Sequence, residues 1–176
     1  MTPITSVDQL IECFEEAAPS EQVRILKRMQ IPIEEFEAFA SWESGTYTRN
    51  CVTRSEHFEF ILLCWDQGAQ TGIHDHSGQN CWVCQLQGSL AEVRYEEKDG
   101  NLTPSAESSL APGTISFMDD SMGYHTLENP TQQRAMTLHV YVNPIDSCRI
   151  YNEEKACFET SEMEYHTEPV QNAQAS

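Results

Sequence analysis

From residue 45 onward the chain is a succession of short apolar or alternating stretches, each closed by turn residues, and this rhythm limits it to a mainly β architecture. The stretches 46–53, 57–65, 81–87, 89–96, 114–118, 123–128, 134–142, 147–152 and 157–165 each have the length and residue bias of a strand. Asp66-Gln67-Gly68, Gln87-Gly88, Asp99-Gly100-Asn101, Pro112-Gly113, Asn129-Pro130 and Asn143-Pro144 punctuate them. Many short strands at this spacing predict an antiparallel barrel or sandwich. The first forty residues follow the helical period instead. Val7, Leu10, Ile11 and Phe14 recur at i, i+3, i+4 and i+7 behind Ser6 or Asp8 as cap. Pro19 begins a second helix, with Val23, Ile25, Leu26 and Met29 as apolar positions, and Pro32 a third running to about Trp42. The expected organisation is a helical cap over 1–44, a β-barrel over 45–166 in the same domain, and a flexible tail over 167–176.

At 176 residues the chain can bury the core of one domain. Its 10 basic and 28 acidic residues give a formal charge of -18. Such a field repels polynucleotides and anionic lipid, which excludes nucleic-acid and membrane-surface roles. No stretch approaches the roughly 20 apolar residues of a membrane span. The opening MTPITSVDQL lacks the basic and apolar regions of a secretory signal. The seven cysteines are odd in number and read as reduced thiols of a cytoplasmic protein, not as a disulfide framework.

The chemistry points to His74-Asp75-His76. In an extended segment His74 and His76 face the same side, because side chains alternate with period two. Asp75 then faces away and is structural. His125 stands in a later strand, with Asn129 four residues beyond it. Three neutral imidazoles can hold a divalent metal and leave its opposite face open. His57 and His166 have no spacing that argues for the metal. Strand 134–142 puts Met136, Leu138, Val140 and Val142 on one face and Thr137, His139 and Tyr141 on the other. Arg49, within Tyr47-Thr48-Arg49-Asn50, offers a planar fork for a carboxylate.

The bracket Gly68, His74-x-His76, Cys81, Gly88, followed by Gly113, Gly123-x-His125 and Asn129, resembles the two-motif signature of the cupin superfamily. That resemblance implies a cupin-type double-sheet β-barrel, jelly-roll-like, with N-terminal helices added. Cys81 stands where many cupins carry a carboxylate ligand, so the ligand set is neutral. The segments YTRN, ILLCW, IHDHSGQNCWVCQLQG, DDSMGYHTLEN, LHVY and DSC, from about Tyr47 to Tyr165, are similar to the cysteine dioxygenase family. By position, the resemblance implies that His74, His76 and His125 hold one Fe(II) per chain. It implies that Arg49 binds the carboxylate of L-cysteine with Tyr47 nearby, and that O2 is the co-substrate. Tyr141 would lie over the iron site with its hydroxyl supported by His139, and Cys81 would form a thioether bond to the Tyr141 ring. Trp65 would pack near the pocket and Cys148 would line it. Where the family often has Tyr-Ser-Pro-Pro, this chain has Tyr141-Val142-Asn143-Pro144, so the cis peptide associated with the first proline is not implied. A monomer acting in the cytoplasm is expected. Two alternatives stand beside this reading: a dioxygenase of another small thiol such as 3-mercaptopropionate, and a non-catalytic metal-binding cupin.

Overall fold

The computed structural model describes residues 2–168. Of the expected C-terminal tail, 169–176 lie outside the described residues. Thr167 is tied down: its carbonyl accepts from Cys51 N–H at 3.0 Å and its hydroxyl donates to Asn50 at 3.0 Å.

The N-terminal region is helical in three short pieces. α1 (Val7–Glu15) starts at Ser6, whose hydroxyl accepts from the Gln9 N–H, and it buries Val7, Leu10 and Phe14. A 3₁₀ turn at Pro19–Glu21 leads into α2 (Gln22–Leu26), which buries Ile25 and Leu26. α3 spans only Ile33–Glu37 and does not reach Trp42. The reason lies at Ser41, where the chain is drawn onto the first strand. Its carbonyl accepts from the Thr48 hydroxyl at 2.6 Å and its own hydroxyl bonds Asn50.

Ten strands follow: β1 (Tyr47–Arg54), β2 (Phe58–Trp65), β3 (Asn80–Gln87), β4 (Leu90–Lys98), β5 (Asn101–Leu110), β6 (Ile115–Met118), β7 (Tyr124–Glu128), β8 (Ala135–Val142), β9 (Ser147–Asn152) and β10 (Cys157–Glu162). One sheet has the order β1-β2-β8-β3-β6, a second β5-β4-β7, and β9 and β10 form a hairpin. All pairings between these strands are antiparallel. The segment before β3 joins the last two groups, because His74 bridges His125 of β7 on one side and Ile150 of β9 on the other. The result is the expected double-sheet arrangement, although the two sheets do not close into one ring of strands.

β5 is the strand that the sequence pattern misses. NLTPSAESSL has no alternation, and only its last residue is buried. It forms by pairing along β4 at the edge of the sheet, with Pro104 placed where the ladder shifts register between Arg94 and Tyr95. An edge bulge is where a strand tolerates a proline.

β8 divides the interior in two. Met136, Leu138 and Val140 pack with Leu10, Phe14, Phe58 and Phe60 under the helices. Thr137, His139 and Tyr141 point the other way and are all buried, at most 4% exposed, so that face meets the interior between the sheets and not solvent. The same alternation separates Cys81 and Cys84 of β3, which belong to different clusters. Their C-x-x-C spacing therefore brings no thiols together, and all seven cysteines are free.

Candidate metal centre

The three histidines meet where β7 runs beside the 70–76 segment. His74 and His125 are direct backbone partners, each N–H donating to the other's carbonyl at 3.1 Å. This pairing needs a close approach farther along. Gly123 has φ +91°, and a side chain there would collide with the Tyr95 carbonyl of β4. His76 follows on the next turn, where Asp120 accepts from His76 N–H at 2.9 Å and from Gly78 N–H at 2.6 Å. The ring centroids lie 4.6 Å (His74–His125), 4.8 Å (His76–His125) and 5.5 Å (His74–His76) apart. One nitrogen of each lies within 4.8 Å of the others.

The hydrogen bonds decide which nitrogens are presented. His125 Nδ1 is 2.9 Å from the Glu92 carboxylate, and His74 Nδ1 is 2.9 Å from the Gly72 carbonyl. Both partners only accept, so each ring holds its proton on Nδ1 and turns the Nε2 lone pair outward. His125 Nε2 and both nitrogens of His76 are buried without a partner in the protein. Buried polar atoms are rarely left unpaired, and a metal is the ligand these atoms fit. Burial, and then the neighbouring His125, push His74 down to about 3 and His76 well below its usual range, so both rings stay in the neutral, ligating form.

Glu92 was not among the expected site residues. It is 2% exposed and accepts from Ser116 (2.9 Å) and Ser108 (3.2 Å) as well as facing His125. Burial opposes its charge, but the bond to His125, Arg94 beside it and the Ser116 hydroxyl hold its carboxyl down at about 2. The sequence signal was available: Glu92 shares the inward face of β4 with Leu90.

A cavity of ≈ 40 Å³ opens beside the histidines, lined by Tyr47, Arg49, His74, His139, Tyr141 and Cys148 among others. Arg49 Nε and Nη2 are buried there without a partner, and the Tyr141 phenol lines the same cavity. His166, whose spacing does not argue for the metal, supports the site from β1: its Nδ1 accepts from Arg49 N–H at 3.1 Å. Tyr141 and Cys81 are direct cross-strand partners on β8 and β3. Burial raises both the Tyr141 phenol and the Cys81 thiol well above their usual values, so both keep their protons.

His139 differs from expectation in its partner. Its Nε2 bonds the Thr137 hydroxyl at 3.1 Å, and that hydroxyl accepts from Trp65 Nε1 at 2.9 Å. The His139 and Tyr141 rings stack with centroids 6.4 Å apart. Trp65 packs on Tyr47 with centroids 5.0 Å apart. Cys148 lies on the cavity wall with Met163, whose sulfur is 3.9 Å from its own. Asp75 faces away from the cluster and bonds Arg149. Asn129 is structural: its side-chain amide donates to the Asp66 and Gln133 carbonyls. The turn after β8 places Asn143 at φ +66°, and no peptide bond among the described residues is cis.

A family model for cysteine dioxygenase type I matches residues 1–154. Cysteine dioxygenase type 1 of Danio rerio is 28% identical over 177 aligned positions, spanning 94% of this chain and 88% of its own length. The protein of the same name from Rattus norvegicus is 27% identical over 179 positions, spanning 95% and 88%. Among solved structures, TT1209 from Thermus thermophilus superposes with a TM-score of 0.51 at 23% identity, covering 61% of this chain and 93% of its own, a likeness of fold.

Proposed function

The chain belongs to the cysteine dioxygenase type I family, and on that premise we propose that it joins both atoms of O2 to the sulfur of L-cysteine, giving cysteine sulfinate. The observation that carries this reading is Arg49, a cation with two unpartnered buried nitrogens that lines the same cavity as His74 of the histidine cluster. A buried guanidinium without an anion is costly, and a substrate carboxylate answers its fork in the plane. His74, His76 and His125 are the ligands we assign to one Fe(II) per chain, which supplies the redox chemistry between the thiol sulfur and O2. With no carboxylate among its ligands, the centre keeps a net positive charge that favours a thiolate.

The remaining residues bind and orient. Tyr141, protonated through burial, donates a hydrogen bond toward the substrate or oxygen side of the cavity. The line Trp65, Thr137, His139 fixes the imidazole that stacks on Tyr141. Tyr47 closes the cavity beside Arg49, and Cys148 with Met163 and Ile150 forms its apolar wall. We place the enzyme in the cytoplasm as a monomer; its free thiols suit a reducing compartment. Among the described residues no helix is long and apolar enough to cross a membrane.

The test is oxygen uptake by the iron-loaded protein on L-cysteine and on 3-mercaptopropionate, with the product identified by mass. Preference for L-cysteine and a sulfinate product are expected. Preference for 3-mercaptopropionate would move the substrate to the other thiol, and stable iron binding without oxygen uptake would make the protein a binding cupin.

Cys81 and Tyr141 are proposed to join as a thioether. The thiol hydrogen and one ring hydrogen are lost to O2 as oxidant, and a C–S bond forms. The ring is then fixed and its rotamer freedom removed. After turnover, intact mass is expected two hydrogens below the sequence value, and Cys81→Ser should show no such change. A deficit that persists in Cys81→Ser would place the crosslink elsewhere.

A further inference from the structure

Arg149 has no part in the chemistry above, yet it lies against residues that are sequence neighbours of all three histidines in the cluster. Its N–H donates to Asp75 Oδ1 at 2.8 Å and its Nε to Asp75 Oδ2 at 2.6 Å, while the Asp75 N–H donates back to the Arg149 carbonyl at 3.1 Å. Asp75 is the residue between His74 and His76, and its side chain is 2% exposed. The guanidinium also lies 5.9 Å from the ring centroid of Tyr124, the residue before His125, and 5.5 Å from that of Phe158 on β10. Tyr124 and Phe158 stack at 4.3 Å, joining β7 to the hairpin. Along β9 the two neighbours of Arg149, Cys148 and Ile150, both line the cavity.

One side chain thus holds three things at once: the segment of His74 and His76, the start of the His125 strand, and the β9–β10 hairpin that walls the cavity. We propose that Arg149 is a positioning residue, a clamp that docks the hairpin on both ligand segments and so sets how firmly the three histidines hold their metal. The ion pair with Asp75 is charge-assisted and largely desolvated on the carboxylate side, where such bonds are short and directional. Without it, the 73–76 segment keeps its backbone bridges but loses the contact that fixes its rotation, and the His74 and His76 rings lose register with His125. Partners that orient ligating histidines commonly change metal affinity by about 10–100-fold.

This clamp rests on the three-histidine centre of the proposed function but not on the substrate, and it is tested without substrate. Apo-protein is titrated anaerobically with Fe(II), and release of the metal to a chelator is timed. Arg149→Ala is expected to weaken binding and speed release by about 10–100-fold. In an Asp75→Asn background the same substitution should add little, because the pair acts as a unit. Arg149→Lys keeps the charge without the fork and should give a smaller shift in the same direction, which retains the test if the alanine variant does not fold. A purely structural arginine would lower the melting temperature of the apo-protein and leave Fe(II) affinity and release as in the parent, and that result in either variant overturns the clamp. Iron binding that depends on Arg149 in a protein that consumes no O2 with L-cysteine would overturn the proposed reaction and leave the clamp standing.

Discussion

His125→Ala is expected to leave the protein with little iron after reconstitution and with oxygen uptake on L-cysteine at background. Only three imidazoles meet at this centre, and among the described residues they form the one such cluster. Removing one leaves two neutral ligands and a hole beside them, so the loss in affinity should exceed the roughly 10–100-fold that follows loss of an outer partner. Glu92 makes the effect on folding specific. In the parent its carboxyl is held at about 2, against the ordinary 4.5, by the bond to His125 and by Arg94 and Ser116, in spite of burial. A depressed acid contributes stability that is present above its unfolded value and lost as pH falls through the folded one. The variant, lacking the bond from His125, should therefore melt below the parent at neutral pH, with the gap closing as pH is lowered from about 4.5 toward 2. Iron content, oxygen uptake and apo melting curves at several pH values read all three. Full iron and full rate in His125→Ala would remove it from the ligand set.

The parts of the site that could be read in the chain are those where local geometry dictates direction. Period two placed His74 with His76 and set Thr137, His139 and Tyr141 on one face of β8, and the folded chain keeps both. What could not be read is what register and packing decide. Nothing in the sequence order says that Cys81 stands opposite Tyr141; that follows from how β3 and β8 pair. Which face of β8 is the site side is equally undetermined until the helices cover Met136, Leu138 and Val140. Arg149 looks like an ordinary surface charge in sequence, because its partner lies 74 residues away, and for Glu92 the alternation of β4 marks only the face, not the partner 33 residues away. β5 escaped because an exposed edge strand needs no apolar pattern of its own when its neighbour supplies the ladder.

Arg49→Ala should separate function from stability. In the proposed complex the guanidinium meets the L-cysteine carboxylate, and hydrogen bonds to a charged group are worth about 1.5–3 kcal/mol each. Losing that contact should lower kcat/KM by at least about 10–150-fold, since each 1.36 kcal/mol is tenfold. KM should carry part of it because the carboxylate is bound in the ground state. Arg49→Lys keeps the charge but offers no planar fork, so it should recover only part of the loss. The melting temperature of the apo-protein should not follow. Arg49 Nε and Nη2 are buried without protein partners, and an unmade buried hydrogen bond costs about 1–3 kcal/mol. Removing the group relieves that cost, offset by the lost packing of its stem, so Arg49→Ala should melt close to the parent or above it. A residue kept for folding shows the reverse pattern, with stability falling and kcat/KM on L-cysteine unmoved. That outcome would take the carboxylate site away from Arg49, and the choice of an amino-acid thiol as substrate would lose its main support.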